Sequence, residues 1–177
     1  MSVQDFNELS PHDIARAEVE AWRSECLDIF AQGEVLIGTL LELARDAGIR
    51  VRLLEHSEQR TIEAVRLADM LSGKTEAEDA SAVLASWQSL ESRCSLLAHG
   101  VTTETVDRDG NWYALLDMVS YRGGRTARGR WTVSREEAEA FLQELGHSFI
   151  VLKSQLGCMR QELGGDRGGK PRKVQAL

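Results

Sequence analysis

The chain has 177 residues, 42% hydrophobic and 28% charged, with a formal net charge of −7. That is enough chain and apolar material for one domain with a core, in the proportions of a soluble globular protein and not of a disordered or fibrous one. No apolar run approaches the roughly 18 residues of a membrane span. The polar, acidic beginning predicts no signal peptide. Cys26, Cys94 and Cys158 are scattered, which predicts a reducing, cytoplasmic location and no disulfide framework. No Cys-x-x-Cys or His-x-x-x-His spacing points to a metal, and no cofactor is expected.

The charge is uneven. Residues 1–118 carry 10 Lys+Arg against 22 Asp+Glu, and residues 119–177 carry 11 against 6. An acidic body with a basic final third is either a surface for anions or simply an uneven solvated exterior.

Residues 1–9 read as a flexible lead-in. Ser10-Pro11-His12-Asp13 is a helix start, with Ser10 as N-cap, Pro11 in the first turn and Asp13 near the positive helix end. The stripe Trp22, Cys26, Ile29, Gly33, Leu36, Leu40, Leu43 is heptad-like. With Gly48 as the stop, this first helix approaches roughly 37 residues and roughly 55 Å. Gly33 and Gly38 mark a bend or a close helix approach.

Residues 49–56 read as a connector. Ser57 to Ser72 reads as a second helix, with Ile62, Val65 and Ala68 or Asp69 to one side. Thr75-Glu76-Ala77-Glu78 matches a capping box ahead of a third helix whose stripe is Val83, Trp87, Leu90, Cys94 and Leu97.

After Gly100 the period changes. Val101–Asp107 and Trp112–Tyr121 read as strands separated by the turn Arg108-Asp109-Gly110-Asn111. Arg122–Gly129 reads as a flexible basic loop and Arg130–Val133 as a short third strand. Ser134-Arg135-Glu136-Glu137 is a capping box opening a last helix, with Ala138, Phe141, Leu142, Leu145, Phe149 and Leu152 on its buried side. From Gly164 the chain reads as a basic tail. The expected fold is therefore mainly α, an antiparallel bundle of about four helices with a small antiparallel β insert (about 101–133) before the last. Its expected organisation is a lead-in over 1–9, one domain over 10–160 and a basic flexible tail over 161–177.

Two places carry candidate chemistry. On a helical wheel, Arg93 and His99 flank a face made of Ser86, Ser89, Ser92, Ser95 and Leu96, away from the predicted core. Small residues there let another backbone approach, so this face is expected to meet a second helix, within the chain or across a homodimer. Arg93 and His99 stand about 120° and about 9 Å apart on a regular helix. They act on one atom only if the last turn unwinds at Gly100 or a two-fold axis pairs two copies. An arginine grips phosphate bidentately, and a histidine at a helix exit suits general acid–base work. The alternative is structural: Arg93 pairs with an acid such as Glu34, and His99 caps its helix.

The second place is Arg122, Arg125, Arg128 and Arg130, where glycines expose backbone and guanidiniums reach phosphate, or where a hairpin tip is merely solvated. It lacks the spacing of a phosphate-binding P-loop. Trp112, Tyr113 and Trp131 lie nearby, for stacking on bases or for packing. Trp22 and Trp87 read as core.

The run Arg93-Cys94-Ser95-Leu96-Leu97-Ala98-His99-Gly100 resembles the motif of HEPN domains: an arginine, four to six residues, then a histidine near the end of a helix in a helical bundle. Cys94 stands where those proteins often carry Asn or Asp. The resemblance implies a homodimer and metal-independent RNA cleavage at the dimer cleft, with His99 acting on the 2′-hydroxyl or leaving oxygen and Arg93 stabilising the phosphorane. Ser89, Ser92 and Ser95 would support the groove. It equally implies, as its non-catalytic form, an interaction module or scaffold partnered by a protein such as an antitoxin or nucleotidyltransferase. A nucleotide-binding module is the third expectation.

Overall fold

The computed structural model describes residues 10–71, 79–122 and 125–165. The order of elements is α1 (Pro11–Asp46), α2 (Ser57–Leu71), α3 (Ala80–His99), β1 (Val101–Val106), β2 (Trp112–Arg122), β3 (Arg125–Ser134) and α4 (Arg135–Gly165). The described chain is thus mainly helical, with a three-stranded antiparallel sheet in the order β1-β2-β3. None of its helices is long and apolar enough to cross a membrane.

Two compact units divide the chain, one of Met1–Phe30 with Leu90–His147, the other of Ala31–Ser89 with Ser148–Leu177. α1, α3 and α4 each supply residues to both.

Helix ends follow local chemistry. Ser10 Oγ accepts from the Asp13 backbone N–H at 3.2 Å, and the Asp13 carboxylate accepts from the Ser10 N–H at 3.3 Å and the Ser10 hydroxyl at 2.6 Å. α1 closes with paired bonds, Gly48 N–H to Arg45 O and Ile49 N–H to Ala44 O, both 2.9 Å. Gly48 takes φ +83°, the left-handed conformation such a stop requires. α4 opens on the expected capping box: Ser134 N–H to Glu137 Oε2 at 2.8 Å, Glu137 N–H to Ser134 Oγ at 3.2 Å.

The buried stripe of α1 is Ala15, Val19, Trp22, Cys26, Phe30, Ile37, Leu40, Leu41 and Ala44. Ile29, Leu36 and Leu43 are only half-buried. The stripe advances at about 3.6 residues per turn, and the expected heptad drifts off it by about 20° every seven residues. Gly33 is the close approach anticipated: a Cβ there would stand 2.2 Å from Trp87 Cζ2. Gly38 has nothing within 4 Å of that position.

In the second unit, α2 buries Thr61, Glu63, Ala64, Leu67 and Ala68. Ile62, read to one side of the helix with Val65 and Ala68 or Asp69, is 53% exposed. The reason is that Glu63 turns inward to hold the connector. Its carboxylate accepts the Arg52 backbone N–H at 2.8 Å and the Arg66 Nε–H at 3.1 Å, while Arg66 also donates to Arg50 O at 2.9 Å. Arg60 adds a bond to Glu55 O at 2.9 Å and an ion pair with Glu34 at 3.2 Å. The capping box expected at Thr75–Glu78, and the end of α2 beyond Leu71, lie outside the described residues.

In the first unit, β2 alternates cleanly. Trp112, Ala114 and Leu116 are buried with Val133 of β3, and Tyr113, Leu115, Asp117 and Val119 form the outer row. β2 pairs with β3 from Tyr113↔Ser134 through to Arg122↔Arg125. The expected loop Arg122–Gly129 is therefore mostly strand, and β3 is ten residues long instead of the four expected. The physical reason is long-range: residues 125–134 pair antiparallel with 113–122 of β2 in one continuous register, with Arg128 and Arg130 bonding Asp117 across it. At the far end α4 runs to Gly165. The lead-in 1–9 and residues 166–177 lie outside the described residues.

Candidate functional site

Both candidate places fall in the first unit. α3 stays helical through His99, and Gly100 N–H still donates to Leu96 O at 2.9 Å. The last turn is not unwound, so helix geometry alone keeps Arg93 and His99 about 120° and about 9 Å apart within one copy. His99 is exposed at the helix exit. Arg93 is half-buried, with its guanidinium carbon 4.3 Å from the centre of the Trp131 ring, a cation–π contact.

Trp131 belongs to an aromatic cluster. It meets Trp22 edge-on at 5.5 Å and Phe141 at 5.0 Å, and Trp22 lies 6.4 Å from Trp112. The Trp112 indole N–H donates to Glu18 at 2.8 Å, and Glu18 also receives Arg135 at 3.2 Å. Trp22, Trp112 and Trp131 are thus packing residues on the inner side of the sheet. Tyr113, 42% exposed, is on the outer side.

The expected helix-facing groove is corrected at Leu96. That side chain is buried, and a Cβ on Gly129 of β3 would meet its Cδ2 at 3.2 Å. The wheel placed Leu96 outside because sequence periodicity does not show a sheet folding onto the second side of α3. Val83 and Cys94, expected on the core stripe, are half-buried, and Leu84 and Glu91 are buried in their place. Ser86, Ser89 and Ser92 are exposed and Ser95 half-buried. Ser89 Oγ donates to Ser86 O at 2.7 Å, within α3. Glu34, offered as an acid for Arg93, is bonded to Arg60.

An arginine that the sequence reading missed braces the exit. Arg23 donates to Leu97 O through Nε (3.1 Å) and Nη2 (2.5 Å), and to Thr102 Oγ1 at 2.8 Å. It satisfies one of the carbonyls a helix end leaves open and ties β1 to α3. Its only signal was a cation beside Trp22 on a helix where acidic residues outnumber basic ones. Gly100 completes the turn: a Cβ there would stand 2.4 Å from Leu96 O.

On the outer sheet face Arg128 donates to both carboxylate oxygens of Asp117, with Nε–Oδ1 at 3.0 Å, and Arg130 Nη2 reaches Oδ2 at 3.1 Å. The hydrogen bonds from Arg128, then Arg130, hold the Asp117 carboxyl down at about 2. The two arginines remain 62% and 55% exposed. Arg122 and Arg125 face each other at the end of the ladder; their side chains lie outside the described residues.

Two polar clefts occur in this unit. One of about 470 Å³ is lined by Asn111, Tyr113, Ser134, Arg135, Glu136 and Glu139. The other, about 330 Å³, is lined by His12, Asp13, Arg16, Thr102, Thr103 and Glu104. Arg93 and His99 line neither. Among the described residues no group of three His, Cys, Asp or Glu stands where it could hold a metal ion. Burial pushes the Cys26 thiol up to about 12, which disfavours the nucleophilic thiolate. Comparisons with protein-family models, curated proteins and solved structures find no match.

Proposed function

We propose that this protein is a HEPN-like homodimer that engages RNA with its first unit. One observation carries the reading: an exposed histidine at the exit of α3 shares a compact unit with two exposed arginines ordered on β3. Guanidiniums held in place bind phosphate with less entropy to lose than free ones. Cleavage in this reading needs two copies, His99 of each acting as acid or base on RNA whose phosphate meets an arginine of the pair.

The test is incubation of mixed RNA with the purified protein in EDTA, beside light scattering at micromolar concentration. Cleavage that His99→Ala abolishes while the circular dichroism stays unchanged supports the enzyme. Salt-sensitive binding without cleavage supports an RNA-binding module. The absence of both cleavage and binding overturns the proposal, and a monomer at those concentrations overturns the dimer.

The non-catalytic form has its own support. Arg93 rests on Trp131, where it serves the fold without any substrate. A scaffold of this kind would bind a protein partner and ignore RNA.

A further inference from the structure

The outer face of the sheet carries a charge arrangement that the RNA reading does not use. Asp117 of β2 stands opposite Arg130 and two register positions from Arg128, which pairs with Val119. Arg128 grips both of its oxygens and Arg130 grips one. This is the geometry with which guanidiniums hold a phosphate: planar forks, parallel N–H bonds, an anion with two free edges. The anion present is a carboxylate of the chain itself.

We propose that Asp117 is a built-in competitor for a backbone phosphate of single-stranded RNA, which displaces it from Arg128 and Arg130. This rests on the RNA reading above and names where on the first unit the strand lies. Three observations carry it. The two arginines outnumber their acid, so the cluster keeps a positive charge when paired. They are more than half exposed, while Asp117 is 23% exposed beneath them, so a ligand meets the guanidiniums first. Pairs in such surroundings are screened and contribute little to stability, so exchanging one anion for another costs little.

The face also suits a single strand more than a free phosphate. Tyr113 lies on the same side of β2 as Asp117, four residues or roughly 13 Å away, and the residue is 42% exposed. Thr103 and Thr132 flank Leu115 in the register row between them. Aromatic rings and hydroxyls on an open sheet are a platform for unpaired bases.

The experiment measures anisotropy of a short, fluorescently labelled, mixed-sequence single-stranded RNA over a range of salt. The full chain is compared with Asp117→Asn, Asp109→Asn, Arg128→Gln/Arg130→Gln and the triple variant. Asp109 lies in the β1–β2 turn and controls for the loss of one negative charge. Asp117→Asn is expected to bind about tenfold more tightly than wild type. Its salt slope should steepen by about 0.7 for each further phosphate neutralised. Asp109→Asn should gain much less, and the triple variant should lose the gain. Binding by wild type that Asp117→Asn leaves unchanged, weakens, or improves no more than Asp109→Asn does overturns the competitor and leaves the RNA reading standing. No binding by any variant overturns both. If circular dichroism shows Asp117→Asn unfolded, Asp117→Ser carries the same comparison.

Discussion

Glu63 and Asp117 are both carboxylates held by arginine, and they do opposite things. Glu63 is buried in the second unit and accepts from a backbone N–H as well as from Arg66. Removing it would strand a donor on the connector, so it is fixed by what it satisfies. Among the described residues Asp117 bonds only side chains, on a solvated sheet face in the first unit. Any anion of the right shape could replace it. An ion pair that completes a backbone bond is architecture, whereas one that joins two exposed side chains leaves both open to a ligand.

The first unit is supported by its aromatic cluster, so the largest expected loss comes from removing that support. Trp131→Ala deletes the ring contacts with Trp22 and Phe141 and the platform under Arg93. Urea denaturation should show a loss of about 3 kcal/mol. A loss under about 1 kcal/mol would show that the cluster is not what holds this unit.

Glu63→Ala is next. It leaves the Arg52 N–H and Arg66 without their acceptor, and about 2 kcal/mol should be lost by the same measurement. Hydrogen exchange should quicken at Arg52 more than at the core of α2. An unchanged Arg52 amide would break the contrast drawn between the two acids.

Arg23→Met tests the exception, an arginine of the first unit that does bond backbone. It should cost about 1 kcal/mol, with faster exchange at the end of α3. If the loss is absent, Leu97 O is being satisfied by water.

What was legible in the sequence was whatever local chemistry decides. Ser10, Gly48 and Ser134 marked helix ends because a cap is set by neighbours three or four residues away. The turn at Gly110 and the switch to strands after Gly100 were legible for the same reason. Long-range pairings were not. Arg122–Gly129 has the composition of a loop, and only its antiparallel register with β2, a partner not adjacent in sequence, makes it strand. Leu96 read as outward because a wheel shows one face of a helix and not the sheet that covers another. Arg93 and His99 were legible as residues, but the Trp131 face against Arg93 depends on a hairpin returning more than thirty residues later. Arg23, bonded across 74 residues to Leu97, left almost no local trace.

The smallest expected effect separates the two acids by pH. Both carboxyls are lowered in the fold: Glu63 below 4.5, chiefly by the Arg66 hydrogen bond and against its own burial, and Asp117 from 3.8 to about 2, chiefly by Arg128. A depressed carboxyl stabilises the fold above its unfolded value, and that contribution fades as pH falls through the folded one. Wild-type stability should therefore decline on acidification from about pH 5 downward. Glu63→Gln should lose most of its stability difference from wild type over that window, because protonation leaves the wild type with the same weakened acceptor. Asp117→Asn should follow the wild-type curve closely, since a solvated pair adds little in either state. Denaturation midpoints collected from neutral to acid pH for the three proteins decide it. If Asp117→Asn flattened the acid limb as much as Glu63→Gln, Asp117 would be a structural anchor like Glu63, and the sheet face would have no replaceable anion to offer.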